Sequence, residues 1–537
     1  MSDLAETLCK KLEALRQERS PYESTLQDIR ELVRPNSPDF NRSTTPEGDR
    51  MRGVFDGTAV DCAEQFASGL YSFEVNDMER WFSLRLMDED ELQDEESLEW
   101  LEHVADRIFK EYSKPEVNFK SAIHECFSDL GPFGNAILHQ QLSNSRKHVR
   151  FRADPFSNVY YQETNEGVVD TVFRVISYSS HALEQAFGQL PEKLAKKVAA
   201  DKNKTQMFKV VHAVYPREGG SYGAIAKKKL FASCWVCEET KELISEGGYD
   251  AQPYHVTRWA KIAGETYGRG PGHKAIIDVR VLNRLERTIL QGLQKLVDPP
   301  MVAVSESLLE PLQSGAGTVT MVEPGYELPQ AIKFPGDLRL GVEFSEAKRE
   351  ACRRAFHVDW LRMEKTDVEM TATEVLDRRD EKLRMMAPML ARQQTELLGP
   401  MIGRTYQLLA ELRQFRPPPR YLQGKRLLVA YTSQAAIAQL GSRATSAMRF
   451  SQEVVPLLQL KPDLMDGIDM DKLFQDLATG RGVPRTLLRT VDEINQIRQG
   501  RAQQQQMAQA AEIAEPASKA MKNVAEAQQL APTGFLP

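Results

Sequence analysis

The feature that most restricts what this chain can fold into is a helical pattern running from Thr371 to Gln414. Leu376, Leu383, Met386, Leu390, Leu397, Met401, Leu408 and Leu412 recur at the spacing that keeps one helix face apolar. At ~1.5 Å per residue such a helix spans roughly 65 Å. Pro388 and the pair Gly399-Pro400 fall inside the pattern, so the helix is expected to be kinked. Arg416-Pro417-Pro418-Pro419 ends it.

Two further helices precede it. Leu282, Leu285, Ile289, Leu293 and Leu296 mark one over about 273–297, and a second is expected over about 345–363. Asp298-Pro299-Pro300 stops the first, because proline disfavours a helical residue before it. Between the two lies a Gly- and Pro-rich stretch of short strands and turns, 301–343, and a polar stretch, 364–370, leads into the long helix. Beyond it a strand is expected at 426–431, then shorter helices to about 498 and an Ala- and Gln-rich tail that reads as a solvated helix or as disorder.

Upstream, Leu4, Leu8, Leu12 and Leu15 give a helix, Pro21 reads as an interruption, and Leu26, Ile29, Leu32 and Val33 resume it until Pro35. A loop follows over about 36–53. The stretch 58–73 is helical again, with Val60, Phe66 and Leu70 as its expected buried stripe. From Glu74 to Glu99 eleven carboxylates face only Arg80 and Arg85, which reads as a solvated, peripheral segment. A helix from Ser97, its expected N-cap, reaches Tyr112. From about 133 to 254, β-branched and aromatic runs such as NAILHQQL, VRFRADPF, NVYYQE, DTVFRVISY, FKVVHAVYP and LFASCWVC alternate with turn residues, with one helix near 180–200. The fold class is therefore α+β, mainly α-helical, and 537 residues suggest about three or four structural units.

Composition bounds the function. Lys and Arg total 69 against 76 Asp and Glu, a formal charge of −7, which excludes an overall basic nucleic-acid binder but not a local basic surface. The acidic tract accounts for that excess: the rest of the chain holds 67 bases against 65 acids. No apolar run approaches the ~20 residues of a membrane-spanning helix, so no membrane partner is expected. The N-terminus lacks an apolar signal core, and six scattered cysteines are too sparse for a disulfide framework. Both point to a reducing cytoplasm or an assembly built there.

Catalytic motifs are weak. Gly268-Arg269-Gly270-Pro271-Gly272-His273-Lys274 lacks the adjacent Gly-Lys-Ser/Thr of a phosphate loop and reads as a domain-boundary turn. Cys234-Trp235-Val236-Cys237 has zinc or redox spacing but no second pair nearby, so buried, reduced cysteines are expected. There is no HExxH and no Gly-x-Ser-x-Gly, and a lone His357 reads as a packing or solvated residue. No enzyme, metal or cofactor is expected.

Several long strings nevertheless resemble a known family. VFDGTAVDCAEQFASGLYS (Val54–Ser72), YGRGPGHKAIIDVRVLNRLERTILQGLQKLVDPPMV (Tyr267–Val302) and MTATEVLDRRDEKLRMMAP (Met370–Pro388) resemble the portal, or head-to-tail connector, proteins of short-tailed (podovirus-type) bacteriophages. The resemblance covers nearly the whole chain. It implies a portal fold assembled as a dodecameric ring at the head-tail junction of the virion, assembled in the host bacterial cytoplasm, through which double-stranded DNA is packaged and ejected.

The same resemblance implies a domain layout. Residues 1–272 correspond to the wing, 273–297 and 344–361 to the stem, 298–343 to the clip, and 362–371 to a tunnel loop. Residues 372–414 correspond to the long kinked helix, 415–500 to the crown, and 501–537 to a C-terminal barrel helix or tail. The implied partners are further copies of the chain, non-specific DNA, major capsid and scaffolding proteins, the terminase motor, the tail adaptor and internal core proteins.

The candidate DNA-channel residues are Arg349, Arg353, Arg354, Arg362, Lys365, Arg378 and Arg379, with Glu364, Lys365, Thr366 and Asp367 in the tunnel loop. Val304, Leu308, Leu309, Val319 and Met321 are the candidate adaptor-binding positions of the clip, and Pro388 and Pro400 the kink. Between Phe344 and Lys365 six bases face four acids, a mixed lining that suits sliding better than gripping. Pairing of Arg353 and Arg354 between adjacent helices of the ring is the competing expectation. A tail or adaptor ring without a packaging role, and a packaging ATPase lacking a recognisable Walker motif, are the alternative functions.

Overall fold

Leucines at four- and three-residue steps make α1 (Ser2–Leu32) a helix with one apolar edge, and Ala5, Leu8, Leu12 and Leu15 are buried along it. Proline interrupts nothing here: Pro21 lies inside one continuous helix. A helix-interior proline costs about 3 kcal/mol, and tertiary contacts offset it. The buried Arg19 guanidinium donates to the carbonyls of Phe156, Ser157 and Val159 at 3.1, 2.9 and 3.0 Å and lies 3.8 Å over the Tyr160 ring.

The computed structural model describes residues 2–41, 50–75, 80–86, 95–143, 145–217, 229–302, 330–332, 338–361, 385–422, 427–431, 474, 493–494 and 496–504. They belong to two compact units, Met1–Gln439 and Leu440–Pro537. In the second unit the described residues are helical. The first is a mixed helix-and-sheet body.

Its helical layer begins with α2 (Thr58–Glu74), whose buried stripe is Ala59, Cys62, Phe66 and Leu70, one step away from the expected Val60. Glu74, the first residue of the acidic tract, is not solvated at all but fully buried. The tract also contains β1 (Phe82–Leu86), which alternates buried and half-buried residues next to the buried Trp81. α3 (Glu95–Tyr112) starts two residues before Ser97, so that serine is a buried helix residue and not the cap. α4 (Phe119–Phe133) follows and is almost wholly buried along Phe119, Ile123, Phe127 and Leu130.

The β-rich region forms two antiparallel sheets. β2 (Asn135–Leu142), β3 (Val149–Asp154) and β9 (Tyr254–Arg258) build a three-stranded sheet with β2 in the centre. β4 (Val159–Glu163), β5 (Val169–Ser179), β6 (Met207–Pro216), β7 (Phe231–Cys237) and β8 (Glu242–Tyr249) form a five-stranded meander.

One face of the meander, including Phe173, Val211, Ala213, Cys234 and Val236, packs on α1. The other, including Phe208, Val210 and Cys237, packs on α5 (Ser180–Phe187) and α6 (Glu192–Ala200). The single helix expected near 180–200 is thus two, separated by Gly188 at φ +66° and by Pro191. Because side chains alternate along a strand, Cys234 and Cys237 fall on opposite faces of β7 and cannot share a ligand. Both are buried, as expected.

The glycine-rich turn is a backbone-to-backbone joint. A Cβ on Gly270 would stand 2.3 Å from the Gly131 carbonyl oxygen, and one on Gly272 would stand 2.3 Å from that of Pro132. Asn135 fastens the joint: its Oδ1 accepts from Gly268 N–H at 2.7 Å and its Nδ2 donates to the Gly268 carbonyl at 2.9 Å. His273 Nδ1 accepts from Gly270 N–H at 3.2 Å at the start of α7 (Pro271–Val297). The imidazole where a phosphate loop would place lysine therefore holds a helix end.

β10 (Met301–Val302) pairs antiparallel with β11 (Gln330–Ala331), and α8 (Leu338–Ala355) runs back along α7. α8 begins seven residues before the expected start, and instead of running unbroken to 363 it stops at His357, φ +57°, before the short α9 (Val358–Leu361). Of the long pattern, the structure describes α10 (385–393), a π turn at Gln394–Leu398 and α11 (Gly399–Glu411). Pro388 lies within α10, and the irregular stretch is the π turn just before Gly399-Pro400. β12 (Leu427–Tyr431) pairs with β1 along all five residues.

Candidate functional site

The α7–α8 hairpin carries the candidate residues that the structure describes, and its charges are arranged to cancel within the chain. Lys348 on α8 meets Asp278 on α7 at 2.7 Å. Arg349 meets three carboxylates: Asp56 at 2.9 Å, Glu286 at 2.7 Å and Glu346 at 3.3 Å. Burial alone would lower the Arg349 pKa, and the hydrogen bonds to Asp56 and Glu346 with the charges around it raise it instead. Arg353 binds Glu346 at 3.1 Å and Glu350 at 3.2 Å along its own helix. These two arginines hold Glu346 below the usual carboxylate range. Arg354 is exposed and forms no ion pair among the described residues.

Loop residues that no sequence motif singles out complete the hairpin. Asn283 grips the segment before α2 by its backbone, its Oδ1 accepting from Phe55 N–H at 2.7 Å and its Nδ2 donating to the Gly53 carbonyl at 2.9 Å. Arg287 lies 5.6 Å over the Phe55 ring. Asp56 accepts from Thr58 N–H at 2.9 Å at the start of α2 while binding Arg349. The alternation of Asp278 and Glu286 on the side of α7 that also carries Leu282 was a readable signal for these pairs. The part played by Asp56 was not, because it is set by a loop.

The other sequence candidates divide cleanly. Arg362, Lys365, Arg378 and Arg379, the tunnel-loop residues Glu364, Thr366 and Asp367, and the clip residues Val304, Leu308, Leu309, Val319 and Met321 lie outside the described residues. In the α7 stripe, Leu282 and Ile289 are buried, whereas Leu293 and Leu296 are exposed. Cys62 and Cys352, from α2 and α8, are buried, and burial pushes their thiols up to about 12 and about 11. His357 is half-buried, and burial with the nearby Lys274 charge pulls it down to about 4.

A second ionic centre ties the long helix to the sheets. The buried Arg258 at the end of β9 binds Glu396 of the π turn at 2.8 Å and Glu163 of β4 at 2.6 Å, and Lys261 also reaches Glu163 at 2.6 Å. Gln393 and Glu396 meet the free edge of β9: Gln393 Nε2 donates to the Arg258 carbonyl at 3.0 Å and Glu396 Oε2 accepts from Arg258 N–H at 2.9 Å. The π turn thus supplies hydrogen bonds where a further strand would otherwise sit. Among the described residues there is no cluster of three or more His, Cys, Asp or Glu arranged to hold a metal ion, and no helix long and apolar enough to cross a membrane.

Comparison with known proteins places this architecture. The family model "Bacteriophage head to tail connecting protein" matches residues 5–488. The chain is 26% identical over 502 residues to the "Portal protein" of Salmonella phage epsilon15, covering 91% of this chain and 89% of that one. It is 26% identical over 489 residues to the "Probable portal protein" of Bordetella phage BPP-1, covering 88% and 87%. A solved structure, "Virion of native gene transfer agent (GTA) particle", aligns over 78% of this chain and 91% of that one, at 11% identity and a TM-score of 0.37, a likeness from which nothing is drawn. The extent of the family match settles the assignment: the chain belongs to the bacteriophage head to tail connecting proteins and is a structural component of the phage head-tail junction.

Proposed function

We propose that copies of this chain form the portal ring at one capsid vertex, the passage through which double-stranded DNA is packaged and later ejected. The ring has twelve subunits in this reading, as the resemblance implies. It sits among major capsid, scaffolding and internal core proteins, receives the terminase motor during packaging and then the tail adaptor, and is assembled in the host cytoplasm. Residues 1–272 are its wing, 273–297 and 344–361, the main part of the α7–α8 hairpin, its stem, 298–343 its clip and 362–371 its tunnel loop. Residues 372–414 are the long helix, 415–500 the crown and 501–537 the barrel or tail. The names of the two phage relatives support this reading.

The observation that carries it is the hairpin itself. Its buried and half-buried charges are paired inside one chain, yet it leaves apolar side chains exposed on two different flanks: Ile277 and Val281 on α7, and Leu340 and Phe344 on α8. Two unlike patches on one element suit head-to-tail contact between copies, which closes into a ring. Of Arg349, Arg353 and Arg354, Arg354 keeps a guanidinium free of carboxylates among the described residues. Among these three described candidates one free guanidinium would release few counterions, which suits a lining on which a duplex slides.

Class averages of the purified protein by electron microscopy are expected to show a ring with an axial hole, and a solid or monomeric particle would refute the reading. Arg362→Ala with Lys365→Ala is expected to impair DNA packaging or retention while leaving rings intact. Normal packaging and retention would overturn the tunnel-loop assignment.

A further inference from the structure

Each stem helix has a side turned away from its partner, and the two sides differ in charge. On α7, Lys274, Ile277, Val281, Arg284, Thr288 and Gln291 follow at alternating three- and four-residue steps, and all are exposed. This is the spacing of a helix-packing seam. It contains no carboxylate, because the two on α7, Asp278 and Glu286, are bound by Lys348 and Arg349 of α8. On α8, Leu340, Glu343, Ala347 and Glu350 follow at the same steps, with Leu340 67% exposed and Ile277 on the other seam 68% exposed. The α8 side that faces α7 is a different one, formed by Gly341, Ser345 and Lys348. Arg284 and Glu343 have no ion-pair partner among the described residues.

A ring fixes how such seams meet. Rotation about an axis parallel to the hairpin carries one copy onto the next without changing heights. Within the chain, Ile289 lies against Gly341 and Asp278 binds Lys348, so Arg284 stands level with the turn from Glu343 to Ala347. We infer that, in the ring proposed above, α7 of one copy packs on α8 of the next, with Arg284 bound to Glu343 of that neighbour. The small Ala347 lets the helices approach, Ile277 and Val281 lie over Ala347 on one side of the charge pair, Thr288 and Gln291 lie level with Leu340 on the other, and the contact is heterologous. The inference rests on the ring reading and names the face, the partner and the register that the reading leaves open.

A charge pair at the edge of an interface speeds association and weakens with salt. The test uses the purified full chain, with ring content read by sedimentation velocity across sodium chloride concentrations. Both side chains are exposed, so the variants keep the far-ultraviolet circular dichroism of the native monomer. Arg284→Glu and Glu343→Arg are each expected to lower the ring fraction about tenfold, and the two together to restore it. Wild-type rings are expected to dissociate as salt rises. Wild-type ring content in either single variant, or failure of the double variant to recover, would overturn the pairing while leaving the ring standing. Absence of rings from the wild-type protein would overturn the ring reading and the pairing with it.

Discussion

Lowering the pH from about 7.5 to about 4.5 protonates histidines in an unfolded chain but leaves His212 and His255 neutral in the folded one. His212 on β6 stacks on Trp235 at 4.0 Å and 10°, and is hydrogen-bonded to Tyr254 Oη at 2.6 Å and to Ser233 Oγ at 2.9 Å. His255 on β9 is hydrogen-bonded to Gln140 Oε1 at 2.8 Å. Burial is the main cause that pulls both down to about 3, aided by the charges of Arg174 and Arg152 for His212 and of Arg404 for His255.

A base whose folded pKa lies below its unfolded value leaves the unfolded state holding more protons. The stability each imidazole preserves is therefore complete above ~6.5 and falls with pH until the folded value near 3 is reached. At ~1.36 kcal/mol per unit, the two units from ~6.5 to ~4.5 remove about 2.7 kcal/mol per histidine and about 5 kcal/mol for the pair. That is a large part of the ~5–15 kcal/mol that holds a typical protein folded.

Urea unfolding followed by circular dichroism, on the wild type and on His212→Gln/His255→Gln at both pH values, measures the difference. The wild type is expected to lose about 5 kcal/mol more than the double variant between the two pH values. Glu74, Asp129 and Asp154, whose pKa values burial raises, act in the opposite direction, but they are common to both proteins and cancel in the comparison. An equal loss in the two proteins would refute the reasoning.

Three other perturbations test separate parts of the structure. Burial pushes the Glu74 carboxyl up to about 8, and neither of its oxygens has a hydrogen-bond partner among the described residues, so its folded form resists the charge that the unfolded chain acquires above ~4.5. Glu74→Gln is therefore expected to stabilise the protein by about 4 kcal/mol at pH ~8 and to change little at pH ~4, and denaturation at both values checks it. Gly270→Ala drives a methyl into the backbone of residues 130–134 and is expected to cost about 3 kcal/mol or more, seen as a lowered Tm; an unchanged Tm would mean that this joint gives way easily. Arg349→Met leaves Asp56 and Glu286 without their shared cation and is expected to cost about 1–3 kcal/mol, since the pair is only partly buried. Adding Asp56→Asn is expected to recover part of that loss, whereas additive losses would refute the coupling.

The strands of the β-rich region were legible almost residue by residue, since VRFRAD alternates buried and exposed positions and the more deeply buried runs NAILHQQL and FKVVHAVYP are rich in aliphatic, β-branched and aromatic residues bounded by turn residues. β8 and β9 were not: the first carries Glu242, Glu246 and two glycines, and the second is buried on both sides, so neither shows a period of two. Pro21 misled because local propensity says nothing of Arg19 and the sheet that hold the helix on either side of it. Glu74 misled for the same reason, since a carboxylate beside ten others in sequence is buried by a fold that brings β12 and the π turn to it. In the stem, the helices and their charges were readable. That Arg349 also binds Asp56 was not, because Asp56 lies in a loop roughly 290 residues away from it in sequence.

The grip of Asn283 and Arg349 on residues 53–56 has a mechanical consequence. A load applied along the hairpin reaches the body of the protein through the peptide chain at 267–272, and also sideways, through the hydrogen bonds to Gly53 and Phe55 and the ion pair to Asp56. These bonds lie across the helices, so an axial pull strains them together instead of opening them one at a time. Force on the stem is thereby shared with α2, which Asp56 starts and whose Phe66 is buried against Trp259 at the far end of the glycine joint. Loosening those three loop contacts would leave the load to the two ends of the hairpin, the glycine turn at 267–272 and the junction of α8 with α9 at His357, where Phe356 meets Phe66 of α2.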